Sequence, residues 1–253
     1  MNLILVQPEE VLSSQVRLTD RRADHLRKIL KVKTGDTVKV GIIGGMMGAG
    51  VVSATSRQEV VLLIRVENPP PSKLGLKLIL ALPRPIMLKR VLAQAAALGI
   101  DHLFLVNASR VEKSFFEASP VKNGDFLPFL LNGLEQAIDT IAPTVSVHSR
   151  FKPFVEDILP ALVASLKLIA HPDSGPGLAG LAPCAKVAGP TLLAIGPEGG
   201  WLDYEVAKFQ ESGFQSFSLG PRILRVDTAV PAITAQLALW RQMQSAEQLD
   251  TSA

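Results

Sequence analysis

The sequence predicts an α/β protein in two parts: a small β-barrel, then an α/β domain on a mainly parallel sheet. Three observations predict it. The first seventy residues hold several short apolar runs punctuated by glycine, with little that reads as helix, as in a small barrel. Asn68-Pro-Pro-Pro-Ser72 follows, and consecutive prolines make a stiff, extended linker. Beyond it, strand-like and helix-like runs alternate, the mark of a parallel sheet with crossover helices. The expected domains are 1–70 and 73–245, with 246–253 a polar, disordered tail.

In the first part, Leu3–Val6 is a short apolar run. Asp20–Leu30 is helix-like, with Leu26, Ile29 and Leu30 expected on one apolar side and basic residues on the other. Gly35-Asp36 marks a turn into an alternating strand that ends near Val40. Gly44-Gly45 suits a hairpin tip, and Val51–Ala54 and Val60–Val66 continue as strands.

In the second part, Leu76–Leu82 is a strand. Pro85 suits the first turn of a helix and Gly99 its stop, with Leu88, Val91, Leu92, Ala95 and Leu98 on one face. His102–Val106 and Val145–His148 are strands that bracket a helix over Asp125–Asp139. Phe154–Leu166 reads as a helix kinked or broken by Pro160. Leu168–Ala170, Leu192–Ile195 and Phe217–Leu219 are further strands. Asp203 is the expected cap of the helix running to Gly213, and Thr228 that of the last helix.

Composition narrows the function classes. The chain has 253 residues, 47% of them hydrophobic, enough for a real core. No run approaches the roughly 18 apolar residues of a membrane span. Met1–Pro8 lacks the basic region of a secretory signal. The single Cys184 forms no internal disulfide, and the scattered histidines 25, 102, 148 and 171 suggest no metal site. A cytoplasmic protein without membrane or metal is expected. The net charge of +3 sits wholly in the N-terminal third: residues 1–72 hold ten Lys/Arg against seven Asp/Glu, and the remainder sixteen against sixteen. Arg21, Arg22, His25, Arg27, Lys28 and Lys31 cluster there. Such a cluster contacts phosphates or forms a solvated helix face.

Two glycine turns dominate the motifs. Ile195-Gly-Pro-Glu-Gly-Gly200 and Leu219-Gly-Pro-Arg-Ile-Leu-Arg-Val-Asp-Thr-Ala229 each follow an apolar strand and precede a helix. Such turns build a ligand crevice at the carboxyl ends of adjacent strands, and glycine lets the backbone approach the ligand. Gly175-Pro-Gly-Leu-Ala-Gly180 matches a dinucleotide fingerprint formally. Pro176 in its turn and Pro183 in the helix that should follow make it a loop instead, which argues against a nicotinamide enzyme.

These two turns resemble the signature of the SPOUT superfamily of methyltransferases. More narrowly, the chain is similar to the bacterial 16S ribosomal RNA uridine-N3 methyltransferase family. His25-Leu-Arg-Lys-Ile-Leu-Lys-Val-Lys-Thr-Gly-Asp-Thr-Val-Lys-Val40 resembles the opening of that family's N-terminal domain. The resemblance implies a PUA-like RNA-binding barrel, a trefoil-knotted α/β domain, a homodimer, and ribosomal RNA or the small subunit as partner. It implies S-adenosylmethionine as cofactor. Its contacts would be Leu193, Ala194, Ile195, Gly196, Pro197, Glu198, Gly199 and Gly200 in the first turn, Leu219, Gly220 and Pro221 in the second, and Ile223, Leu224, Arg225 and Thr228 beyond.

Methylation at uridine N3 removes a proton, so a base or a stabiliser of the developing anion is needed. Arg225 and Asp227 are the catalytic candidates; the alternative is a structural ion pair. Arg84, Arg110 and Arg222 join the N-terminal cluster as expected RNA contacts. The family's lysine, arginine and Lys-x-x-Glu-Leu-Gly pattern reads here Arg84, Met87, Gln94, Ala97, Leu98 and Gly99. Its Glu-Gln-x-x-Arg reads Glu135-Gln136-Ala-Ile-Asp139. These departures motivate a second expectation, an RNA-binding protein with altered target or lost catalysis.

Overall fold

The computed structural model describes residues 1–172, 177–181 and 189–250, which form two compact units. Gly175, Pro176, Pro183 and Cys184 lie outside the described residues, as does 251–253 of the expected tail.

The first unit comprises Met1–Ser72 and Leu127–Ala142. The sequence reading places the second of these segments in the C-terminal domain. The unit's sheet contains β1 (Ile4–Val6), β2 (Val11–Leu12), β3 (Gln15–Leu18), β4 (Thr37–Ile42), β5 (Met47–Thr55) and β6 (Val60–Asn68) in the order β1-β4-β5-β6-β3-β2. Only the β1–β4 pair is parallel. Alternation decides which side chains are buried: Val16 and Leu18 point inward while Gln15 and Arg17 point out. The core gathers Ile4, Val6, Val40, Val52, Leu62 and Leu26 among others.

The expected Asp20–Leu30 helix is α-helical only over Arg21–Asp24, capped by the Asp20 side chain on the Arg22 N–H. It then widens to a π-helix over His25–Ile29, in which the Leu30 N–H donates to His25 O. The wider turn breaks the 3.6-residue period. Leu26 stays buried, but Ile29 and Leu30, expected in the apolar face, are 68% and 50% exposed. Lys31 follows at φ 54°, a left-handed conformation that costs a non-glycine residue about 1 kcal/mol.

The second unit comprises Lys73–Phe126 and Pro143–Ala253. Its sheet contains β7 (Leu76–Ala81), β8 (His102–Val106), β9 (Thr144–His148), β10 (Leu166–Ala170), β11 (Thr191–Ile195) and β12 (Gln215–Phe217). All pairs are parallel, in the order β12-β10-β11-β7-β8-β9. Strands covered on both faces read as nearly continuous apolar runs, as β11 does after Thr191, with every residue buried.

The Pro85–Ala97 helix starts at proline and buries Leu88, Val91, Leu92 and Ala95 as expected. Gly99 at φ 71° follows it, where a left-handed residue costs glycine little. Other boundaries differ. The segment after β9 is a helical turn (Phe151–Pro153), a π-helix (Phe154–Ile158) and a 3-10 turn ending at Ala161, because Pro160 cannot continue it. β12 lies two residues before the expected Phe217–Leu219 strand. Leu202, not Asp203, occupies the cap position of the Asp203–Glu211 helix. The last helix, Val226–Asp250, begins before Thr228, so Thr228 lies inside it. It continues to Asp250 rather than fraying at 246, through the good helix formers Ala246, Glu247, Gln248 and Leu249. Arg241 of this helix donates to the carbonyls of Leu74, Gly75 and Gly189 and to Thr191 Oγ1, fastening it to the starts of β7 and β11.

Candidate active site

Three neighbouring strands of the second unit end level with one another. Ala170 of β10 pairs with Ile195 of β11 on one side and Phe217 of β12 on the other. His171 and Pro172 after β10, with the loops that leave β11 and β12, line an open cleft of about 660 Å³, solvent at its mouth included. Val226, Ala229 and Ile233 of the last helix form its floor. A crevice at the carboxyl ends of parallel strands is where α/β sheets bind ligands.

The loops are held by short-range bonds. Gly200, at φ 76°, closes the first turn with its N–H on Pro197 O at 2.8 Å. A Cβ on Gly196 would sit 3.0 Å from the Trp201 ring, so any larger residue there would press on the indole. A Cβ on Gly199 would sit 2.9 Å from Arg110 Cδ. In the second turn Ser218 Oγ donates to Pro172 O at 2.8 Å and accepts from the Gly220 N–H at 3.2 Å. The His171 N–H donates to Phe217 O at 3.0 Å.

Behind the first turn lies a fully buried carboxylate. Glu205 Oε1 accepts from the Ser109 N–H at 2.7 Å and from Ser109 Oγ at 3.0 Å, and Oε2 accepts from the Leu202 N–H at 2.8 Å. It therefore ties the loop after β8 to the loop after β11. Arg110, next to Ser109, donates to Gly199 O. Arg110 thus braces the glycine turn with one of its donors.

Of the expected cofactor contacts, the structure brings Ile195, Gly196, Pro197, Glu198, Gly200, Leu219, Gly220, Ile223 and Leu224 to the cleft wall. Arg222, an expected RNA contact, lines it too. Leu193 and Ala194 are buried inside β11, and Gly199, Pro221, Arg225 and Thr228 stand outside the cleft wall. The sequence reading missed His171 and Trp201. Among the described residues, His171 Nδ1 and Trp201 Nε1 are two of five buried side-chain polar atoms without a partner, and both residues line this cleft. Each directly follows an element already marked, β10 and the Gly199-Gly200 pair, so the carboxyl-end rule would have found them.

Arg225 is not among the residues that line the cleft, and its side chain is 74% exposed. Its Nη2 lies 3.6 Å from Met87 Sδ, and its Nε 3.9 Å from Asp227 Oδ1. Asp227 also takes Arg90 Nη1 at 3.3 Å. Arg84 is exposed at the start of the Pro85–Ala97 helix.

In the first unit most of the basic cluster is engaged. Arg21 forms a bidentate pair with Glu135, which raises its pKa. Arg22 bonds Glu10, Asp20 and Leu5 O; the Glu10 contact raises the arginine pKa and lowers that of the glutamate. Arg27 bonds Asp24 and Arg57 O, and Lys28 pairs with Asp24 at 3.2 Å. His25 Nε2 is buried without a partner. Lys31 stands exposed.

The family model described as RNA methyltransferase domain matches residues 70–238. A ribosomal RNA small subunit methyltransferase E from Treponema pallidum is 31% identical over 238 residues, covering 93% of this chain and 90% of its own length. The chain belongs to the ribosomal RNA small subunit methyltransferase E family. The Synechocystis member is 26% identical over 92% of this chain and 76% of its own length. The fold matches the Neisseria gonorrhoeae member, solved bound to S-adenosylmethionine, with a TM-score of 0.73 at 22% identity, covering 94% of this chain and 96% of that one. A Legionella pneumophila methyltransferase solved with the same cofactor gives 0.72 at 23% identity, covering 96% and 97%. Among the described residues, no helix is long and apolar enough to cross a membrane.

Proposed function

We propose that this chain transfers a methyl group from S-adenosylmethionine to N3 of a uridine in small-subunit ribosomal RNA. The observation that carries the reading is the cleft itself. Three strand ends in one row present two glycine turns and two buried nitrogens, His171 Nδ1 and Trp201 Nε1, that no side chain satisfies. Unpaired buried polar atoms are rare and call for a partner. A cofactor with a polar amino-acid end, ribose hydroxyls and an adenine edge fits that donor set. Ala170, Ile195, Phe217 and Ile233 supply the apolar walls for its rings and chain.

S-adenosylmethionine, when bound, brings a methyl group already activated by a sulfonium. The residues of this chain hold and orient it. Glu205 and Arg110 fix the first turn, Ser218 fixes the second, and the last helix excludes water from below. Alignment of this kind supplies roughly 7–11 kcal/mol of a bimolecular barrier. Arg225 is positioned to stabilise negative charge on the RNA, and Asp227 to orient it. Asp227, held between Arg90 and Arg225, orients both guanidiniums.

Support for a knot comes from the connectivity. After β12, beyond β10 at one end of the sheet, the chain returns to pack its last helix on β11 and the Pro85–Ala97 helix. The first unit serves as the PUA-like RNA-binding barrel, and the working form is a cytoplasmic homodimer. Calorimetry with S-adenosylhomocysteine tests the cofactor: micromolar binding is expected, and none would overturn it. Mass spectrometry of ribosomal RNA from a deletion strain tests the reaction. Loss of one N3-methyluridine, restored by the intact gene, is expected; an unchanged methylation pattern leaves only a binding protein.

A further inference from the structure

We propose that Arg90 and Arg225, held on either side of the Asp227 carboxylate, form a two-armed clamp for a backbone phosphate of the RNA substrate. The inference rests on the reading of the chain as an RNA methyltransferase and deepens it by naming where the RNA backbone is gripped. Arg90 carries no family motif, and sequence reading passed over it.

The charges do not balance. Asp227 offers one negative charge to two guanidiniums, at 3.3 Å from Arg90 and 3.9 Å from Arg225. A tie between the last helix and the Pro85–Ala97 helix needs one arginine. A second adds like-charge repulsion unless an anion comes to share the pair. The burial is uneven in the same sense. Asp227 is 15% exposed, whereas Arg90 is 58% and Arg225 74% exposed. The carboxylate is the anchored centre, and the cations reach outward.

The donors remaining are many. A guanidinium carries five N–H groups in a planar fork that matches a phosphate. Arg90 uses one on Asp227. Arg225 rests one against Met87 Sδ at 3.6 Å, a weak acceptor that orients the fork without using it up. The place is also suitable. Leu224 and Val226, the neighbours of Arg225, both line the cofactor cleft. A phosphate on the clamp therefore lies at the rim of the cleft, as the backbone of a nucleotide presented to it must.

The test measures binding of small-subunit ribosomal RNA over a salt series, with S-adenosylhomocysteine present, for wild type, Arg90→Ala, Arg90→Lys and Arg225→Ala. Loss of a charged hydrogen bond weakens RNA binding roughly tenfold in Arg90→Ala. The slope of log affinity against log salt becomes shallower by about one. Arg90→Lys keeps the charge, loses the fork and falls between. In Arg90→Ala, affinity for S-adenosylhomocysteine and the melting temperature stay at wild-type values. RNA affinity and slope unchanged in Arg90→Ala would overturn the clamp. So would a loss confined to kcat, or an equal loss of S-adenosylhomocysteine affinity, which would make the cluster a support of the cofactor cleft. Failure of the wild type to bind S-adenosylhomocysteine would instead sink the methyltransferase reading, while the RNA salt slopes still report on the clamp.

Discussion

Arg21 and Glu135, 114 residues apart in the chain, meet in a bidentate ion pair at 2.6 and 3.0 Å. The carboxylate is 3% exposed, and the Glu135 carbonyl also takes the Asn2 and Leu3 N–H groups. Arg21, read from the sequence as an RNA contact, is thus a fastener of the first unit. Arg21→Ala strands a buried carboxylate and is expected to cost about 1–3 kcal/mol in urea unfolding. RNA affinity per folded molecule should hold; a tenfold loss of affinity at unchanged stability would return Arg21 to the RNA face.

Glu205 is the buried hinge pin of the cleft. Glu205→Ala leaves the Ser109 and Leu202 N–H groups without an acceptor and should cost at least about 2 kcal/mol. The loss should reach the cofactor too, because Ser109 positions Arg110 against Gly199. Calorimetry on the folded variant is expected to show weakened S-adenosylhomocysteine binding, and wild-type affinity would separate the pin from the cleft.

Trp201 offers a gentler probe. Its ring packs on Phe151 and Phe209 while Nε1 has no partner. Trp201→Phe keeps an aromatic ring there and removes the N–H. Affinity for S-adenosylhomocysteine should fall about threefold to tenfold, the worth of one neutral hydrogen bond. Melting should change little. Undiminished affinity would mean the indole only packs.

His102 and His148 predict an acid-sensitive fold. Both flank Ser146 Oγ, at 2.9 and 3.1 Å. Burial pushes the His102 pKa below its ordinary 6.5, with help from Lys77 and His148; burial does the same to His148. Folded histidines that resist protonation, against an unfolded chain that accepts protons near 6.5, contribute stability above that pH. The contribution is lost as pH falls below 6.5 toward the lowered folded values. Denaturant titrations should show a midpoint that drops between pH 7.5 and 5.5, with a smaller drop in His148→Gln. Equal drops in both proteins would remove His148 as a source.

The central strands of the second sheet were legible because they are covered on both faces and so are written as nearly continuous apolar runs, as in 192–195 of β11. Glycines at the two turns marked the cleft because backbone needs no alignment to be read there. What escaped reading depends on long-range meetings or on irregular backbone. Nothing local says that Glu135 will reach Arg21, or that the Leu127–Ala137 helix belongs with the first unit. The π-helix at His25–Ile29 shifts Ile29 and Leu30 off the face that a regular helix gives them. Arg90 carries no local signal, because its partner Asp227 lies 137 residues away. β12, three residues long at the sheet edge, had too little pattern to fix its register.

Arg241 also sets an order of events. The carbonyl of Leu74, just before the first strand of the second unit, takes the Arg241 guanidinium, a side chain made 167 residues later. Translation therefore delivers β7 long before its fastener exists. The early half of this unit emerges as an unfinished edge, and the last helix completes it from the far end of the sequence. Contacts so distant slow folding. A nascent chain of this enzyme should stay susceptible to proteases until Arg241 has been translated, and then become resistant in one step.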